Sequence, residues 1–226
     1  MISPKYKCIH IHIPKCAGTS IEKALGHFDG HEGRNGQDHR TIRMIEQPWL
    51  NISSITSIPN LKELFLRARH KMINKTNPKN HETVTSTQYV KYFKFTIVRN
   101  PYARIYSWYT NVLNDKVQLQ HFRISKDIEF HDYLNRCLKN SYMIRQQVYW
   151  LKNFEGKIKL DYIGKFEEID KVFEEISQHL SIKNISFPHE KKSKIVNYKT
   201  CYNDKSIDLV TKYYKDDLKV FNYKFD

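Results

Sequence analysis

The segment from Lys7 to Gly26 constrains the fold more than any other part of the chain. Lys7 to Ile13 reads Lys-Cys-Ile-His-Ile-His-Ile, a β-branched run that stops at Pro14 and predicts a strand. Pro14-Lys15-Cys16-Ala17-Gly18-Thr19-Ser20 follows as a tight turn. Ile21, Ala24 and Leu25 then recur at helical spacing, and Gly26 marks a stop. A strand that passes directly into a helix needs that helix to carry the chain back over the sheet, so the next strand runs parallel to the first.

The pattern returns twice. Lys94 to Val98 (Lys-Phe-Thr-Ile-Val) predicts a second buried strand, and Asn100-Pro101 reads as the N-cap and first residue of a helix through about Leu113. Leu160 to Gly164 predicts a third strand, with a helix over Glu167 to Leu180. Helical patterns also cover Thr41 to Gln47, Leu61 to His70 and the aromatic-rich middle from Asp127 to Leu151. A final helix carries Ile207, Val210, Tyr214, Leu218 and Phe221 on one face. Four of the seven glycines (Gly26, Gly30, Gly33, Gly36) fall in a stretch that reads as a mobile loop, with Asp38 capping the helix after it. Asn74 to Gln88 reads as a polar connector and Lys183 to Lys199 as a basic loop. The fold class is α/β: a three-layer domain whose central parallel sheet is flanked by helices. With 226 residues and no repeat or linker, residues 1–226 read as a single domain.

The net charge of +14 predicts an anionic partner, although lysines that merely solvate a surface produce the same surplus. No apolar run approaches a membrane span, and Met1-Ile2-Ser3-Pro4-Lys5 has no signal-like apolar region. The expectation is a protein without a transmembrane segment, working in the cytoplasm. Cys8, Cys16, Cys137 and Cys201 have no metal-like spacing and are too few for a disulfide scaffold, so they read as reduced thiols.

A turn between a strand and a helix presents free backbone N–H groups and the positive end of the helix dipole. Here it also offers Lys15 for charge, Ala17 and Gly18 for close approach, and the hydroxyls of Thr19 and Ser20. This is P-loop-like without being a P-loop, because Lys15 precedes the glycine instead of adjoining the hydroxyl residue. An ordinary βα turn would look similar. The second strand delivers Arg99 to its end, where a kinase would need a magnesium-binding Asp. In the helix that follows, Ile105, Trp108, Tyr109 and Val112 define the buried face. Ser107 lies about 160° from Ile105, on the side of Asn100 and Ala103. Arg99 and Ser107 could grip one phosphate together, as a forked donor and a neutral one. Two such strand ends suit a ligand with two separate phosphates.

Together these segments resemble the sulfotransferases that use 3′-phosphoadenosine 5′-phosphosulfate (PAPS), in the branch of the heparan sulfate 2-O-sulfotransferases and small bacterial carbohydrate sulfotransferases. His12-Ile13-Pro14-Lys15-Cys16-Ala17-Gly18-Thr19-Ser20 is similar to that family's 5′-phosphosulfate loop. Phe95 to Tyr102 and on to Ser107 resembles its 3′-phosphate motif. Asp161 to Glu167 resembles its third strand, and Tyr213 to Leu218 with Phe221 to Phe225 its last helix and tail. The departures are Cys16 in place of a common Thr, Lys165 for a usual Arg, and Lys191 for a usual Asn within Pro188-His189-Glu190-Lys191-Lys192-Ser193.

The resemblance implies PAPS as co-substrate and 3′-phosphoadenosine 5′-phosphate as product. The acceptor would be a glycan or another hydroxyl-bearing molecule, with no nucleic acid as partner. It assigns nucleotide contacts to Lys15, Ala17, Gly18, Thr19, Ser20, Arg99, Ser107 and Ser193, and needs no metal. Lys15 is placed to stabilise the leaving oxygen. The in-line displacement also needs a base that is neutral at pH 7. His39 matches the resemblance, and in the first turn of a helix the dipole would keep its ring neutral. Glu22 is the other candidate base, although a solvated helix glutamate is the preferred reading for it. His10 and His12 read as lining the first strand. Arg145-Gln146-Gln147-Val148-Tyr149-Trp150 either shapes the acceptor site or packs Val148 and Leu151 inward. Lys191, Lys192 and Lys194 read either as a solvated run or, preferably, as part of a cofactor lid. The rival readings are a nucleotide-dependent kinase and a basic nucleic-acid-binding module, for which no signature is present.

Overall fold

The edge of the sheet begins at the first residues of the chain. In the computed structural model, which describes residues 1–31, 33–46, 57–182 and 197–225, β1 (Ile2–Ser3) pairs antiparallel with β2 (Cys8–Ile11). So short a connection can only close a hairpin, because a parallel return would need a crossover of a dozen residues or more. The expected all-parallel sheet is therefore corrected to a four-stranded sheet with one antiparallel edge, in the order β1-β2-β3-β4.

The predicted strands make up the rest. β2 is buried along its whole length, which suits an unbroken β-branched run. It pairs parallel with β3 (Phe93–Val98), Cys8 opposite Phe93 and Ile11 opposite Thr96. β3 pairs parallel with β4 (Tyr162–Lys165), Phe95 opposite Tyr162 and Val98 opposite Lys165.

Helix ends follow the local chemistry. α1 (Gly18–Ala24) closes with Gly26 at φ 73°, the Gly26 N–H on the Lys23 carbonyl and the His27 N–H on that of Glu22. α2 (Ile42–Ile45) starts after Thr41, so Asp38 does not cap it and His39 stands before its first turn. The cause is the Asp38 carboxylate, which is buried against the Arg40 guanidinium at 2.6 Å and the Met1 α-amino group at 3.1 Å. α3 (Ile58–Met72) contains the predicted Leu61–His70 pattern, and α4 (Ser86–Lys91) opens with a Thr85–Gln88 capping box.

α5 (Pro101–Leu113) has Asn100 as its cap, its side chain accepting the Tyr102 N–H at 3.1 Å. α6 (Lys116–Phe122), which the periodicity does not reveal, is capped by Asp115. The helix expected over Asp127–Leu151 is broken into α7 (Phe130–Cys137), a 3₁₀ turn over Tyr142–Ile144 and α8 (Gln147–Leu151). After α9 (Ile169–His179), the expected last helix bends at Tyr214 into α10 (Asp204–Tyr213) and α11 (Lys215–Phe221).

The glycine-rich stretch, read as mobile, is tied down by the 3₁₀ turn over Pro78–His81. Asn77 Nδ2 donates to the carbonyls of His27 and Gly36, and the buried Asn80 to that of Gly36. One apolar cluster packs α1, α2, α8 and α9 on the sheet. A second lies among α5, α7 and α10, where Ile105, Trp108 and Val112 meet Tyr133, Leu134, Val210 and Tyr214.

Candidate functional site

Because β2 and β3 run parallel and nearly in register, their carboxyl ends open at the same edge of the sheet. Open α/β sheets bind ligands at such edges. The turn after β2 and the residue after β3 therefore stand side by side. Arg99 Nη1 donates to the Lys15 carbonyl at 3.2 Å, and Arg104 Nε to that of Pro14 at 3.0 Å.

The turn is bent by two left-handed residues, Lys15 at φ 69° and Ala17 at φ 61°, a conformation costing about 1–2 kcal/mol per non-glycine residue. Gly18 and Ser20 are buried, while Ala17 and Thr19 are half-buried. Gly18 is needed for a reason the sequence did not suggest. A Cβ there would collide with the His12 ring, which lies on the start of α1. Lys15 Nζ reaches Asn111 Oδ1 at 3.3 Å.

Arg99 lies with its guanidinium over the Phe166 ring, 4.1 Å from the centroid. Burial pulls its pKa down, its Nε has no hydrogen-bond partner, and no carboxylate stands within ion-pair distance among the described residues. The Glu167 carboxylate acts on this cation from beyond ion-pair distance.

Ser107 is half-buried on α5, one turn from Arg104 and one from Asn111, both of which touch the Pro14–Lys15 turn. Residues three and four apart share a helix face, so Ser107 faces that turn and not the Ile105 stripe. Ser193, Lys191, Lys192 and Lys194 lie outside the described residues.

Three positioning residues are ones to which the sequence gives no such role. Gln147, with no exposed surface, accepts the Arg99 N–H and donates to the Arg99 carbonyl, each at 2.8 Å. Its Oε1 also lies 3.5 Å from Cys16 Sγ. It thereby joins the two strand ends. Asp217 holds Gln147 in place by accepting the N–H groups of Gln147 and Val148 at 2.7 and 2.9 Å, and burial raises its pKa to about 6. Arg104, also buried, donates to the carbonyls of Pro14, Met143 and Arg145. The one hint in the sequence is at Arg104, a charged residue between Ala103 and Ile105.

His39 sits beside this edge. Its Nδ1 lies 3.2 Å from the His12 carbonyl, its ring centroid 4.2 Å from that of His12 and 6.3 Å from Trp150. A carbonyl only accepts, so the neutral ring carries its proton on Nδ1 and leaves the Nε2 lone pair available. Burial first, and then the neighbouring His12, lower its pKa to about 3. His39 stands outside the first turn of α2, although the sequence predicts it there.

Glu22 is not solvated. It has no exposed surface, and burial raises its pKa to about 7. Oε1 accepts the Asp38 N–H at 3.1 Å and lies 3.0 Å from His12 Nδ1, off the line of a hydrogen bond. Glu22 thus braces both neighbours that hold His39.

In the aromatic segment, Val148 and Leu151 pack inward as the bland reading expects. Trp150 is buried against Tyr142, and Arg145 stacks on Tyr142 and Tyr149 at 4.9 and 4.5 Å.

A family model described as the sulfotransferase family matches residues 1–224. No curated protein and no solved structure gives a significant match. Since the family match takes in β1, both strand-end turns and every helix through α11, the chain belongs to the sulfotransferase family.

Proposed function

We propose that residues 1–226 form one PAPS-dependent sulfotransferase domain of P-loop-like fold, acting on an acceptor hydroxyl of a carbohydrate. The observation that carries this reading is the joining of two cationic strand ends, the Lys15 turn and Arg99, through the single side chain of Gln147. A nucleotide with separate 5′ and 3′ anionic groups needs that arrangement, and the unpaired Arg99 Nε suits a phosphate.

In this reading Lys15, Ala17, Gly18, Thr19 and Ser20 hold the 5′-phosphosulfate, and Arg99 and Ser107 hold the 3′-phosphate, with Ser193 from the segment after α9. The nucleotide supplies an activated sulfuryl group, and 3′-phosphoadenosine 5′-phosphate departs. Lys15 offsets the charge growing on the leaving oxygen. His39 Nε2 takes the acceptor proton as the new S–O bond forms, while Nδ1–H stays on the His12 carbonyl and preserves the tautomer. Glu22 acts through His12 and Asp38 as a positioning residue. Arg145, stacked on Tyr142 and Tyr149, lines the acceptor side, where the +14 charge favours an anionic glycan. The four cysteines are free, which suits a cytoplasmic enzyme.

The test is calorimetric titration with 3′-phosphoadenosine 5′-phosphate in the absence of magnesium. Wild-type protein is expected to bind at micromolar concentration, about −8 kcal/mol, and both Lys15→Ala and Arg99→Ala to weaken it. Binding of ATP with magnesium, and none of the bisphosphate, would replace this reading with the kinase one.

A further inference from the structure

The outward face of α3 carries an apolar stripe that nothing covers among the described residues. Ile58 is 81% exposed, Leu61 46%, Phe65 69% and Met72 84%. At about 100° per residue, these four and the exposed Ala68 fall within roughly 80° of the helix circumference. Lys62 and Arg69 border the stripe on one side and Lys71 on the other, all exposed. From Ser57 through Lys75 there are five Lys or Arg, of which Arg67 turns inward to the Glu46 carbonyl, and one acid, Glu63, which is fully buried. An amphipathic helix with Phe and Leu on one face and bases along the borders has the chemistry of the lipid–water interface.

We propose that α3 docks the protein onto an anionic bilayer surface, apolar stripe inserted and bases on the lipid headgroups. A second copy of the chain fits poorly, because the same bases would face each other across any self-pairing of the stripe. A protein partner fits poorly too. The stripe is a convex ridge one helix wide with bases along both borders, which a broad anionic surface meets all at once. No helix among the described residues is long and apolar enough to cross a membrane, so this attachment lies on the surface.

The buried side of the same helix reaches the candidate site. Thr41 Oγ1 and the Tyr149 hydroxyl both donate to the Glu63 carboxylate, and Asn60 Nδ2 donates to the Phe154 carbonyl at 2.8 Å. Docking through the outer face therefore brings the His39 segment within about one helix diameter, ~10 Å, of the headgroups. On the sulfotransferase reading, the acceptor hydroxyl then belongs to a molecule displayed at that surface. The docking itself does not depend on that reading.

The test uses Phe65→Trp as a probe, with vesicles of phosphatidylcholine alone or mixed equally with phosphatidylglycerol. Anionic vesicles are expected to shift its emission to the blue and to cosediment the protein. A Leu61→Ser/Phe65→Ser/Met72→Ser variant, which keeps every charge, should bind them at least tenfold more weakly with an unchanged melting temperature. Binding by that variant within twofold of wild type would mean general charge attraction and overturn the proposal. Equal binding to neutral vesicles, no binding at all, or a concentration-dependent dimer that the triple substitution abolishes would overturn it as well. Nucleotide titration of the same variant in solution stays as in wild type, which separates failure of docking from failure of the sulfotransferase reading.

Discussion

Arg99 and Gln147 bond to each other in both directions, the Arg99 N–H to Gln147 Oε1 and Gln147 Nε2 to the Arg99 carbonyl, each at 2.8 Å. A side-chain amide here does what a neighbouring strand would do for a residue just past the sheet. Because Gln147 Oε1 also meets Cys16, the spacing of the two strand-end turns depends on it.

Gln147→Ala leaves a buried N–H and a buried carbonyl without partners, which costs about 1–3 kcal/mol. The expected outcome is a melting temperature lower by several degrees and nucleotide binding weakened about tenfold, read by thermal unfolding and calorimetry. Gln147→Glu can still accept from Arg99 but cannot donate to its carbonyl, so it should recover only part of either loss.

Arg99→Met should separate stability from binding. Arg99 is desolvated and has no carboxylate partner among the described residues. Replacing such a cation with an apolar side chain of similar length is often neutral or stabilising. Because the variant also gives up the bond to the Lys15 carbonyl, its ligand-free melting temperature is expected to stay within a few degrees of wild type, while calorimetry detects no bisphosphate binding.

Gly18→Ala places a methyl group into the His12 ring. Overpacking of this kind costs about 1–3 kcal/mol or more. Adding His12→Ala should return much of that loss, because it removes the atoms that collide. A double-mutant cycle by denaturant unfolding would show strong coupling. Independent effects would mean that the His12 ring does not rest on α1 in solution.

Glu22→Gln tests the brace under His39 through pH. Burial raises the Glu22 pKa from 4.5 to about 7, so the folded state holds an extra proton between those values. Its contribution to stability is therefore lost as pH rises from 4.5 to 7. Relative to wild type, the Gln variant should gain stability across that window, by at most about 3 kcal/mol. A difference independent of pH would contradict a titrating Glu22.

If His39 is the base, as proposed, His39→Ala is expected to lower kcat by about 10²–10⁴-fold with bisphosphate affinity little changed. The lowered pKa of about 3 also places the acid limb of kcat/KM for the free enzyme well below the 6.5 of an ordinary imidazole. The same depression means that His39 stability is lost as pH falls from 6.5 toward 3, since the unfolded chain takes up the proton first.

The sequence by itself determined the parts of this protein that local rules control. The β-branched run over β2, the glycine that stops α1, the Asn100-Pro101 start of α5 and the outward aspect of Ser107 each depend on residues within one or two turns. Lys15 and Arg99 were legible for the same reason, as charges at the ends of recognisable strands.

Only the tertiary structure decided the rest. Gln147 is 48 positions from Arg99, Glu22 is 16 from Asp38, and His39 is 27 from His12, so no periodicity could bring them together. At the bend, Tyr214 is buried and its hydroxyl donates to the Ile144 carbonyl 70 positions away, which no helical pattern anticipates. Ionisation is the clearest case. The exposed glutamate expected on α1 became a buried acid, and the His39 pKa is lowered by burial although the residue stands outside any helix. Burial sets the desolvation cost of a charge, and burial is a property of the assembled fold.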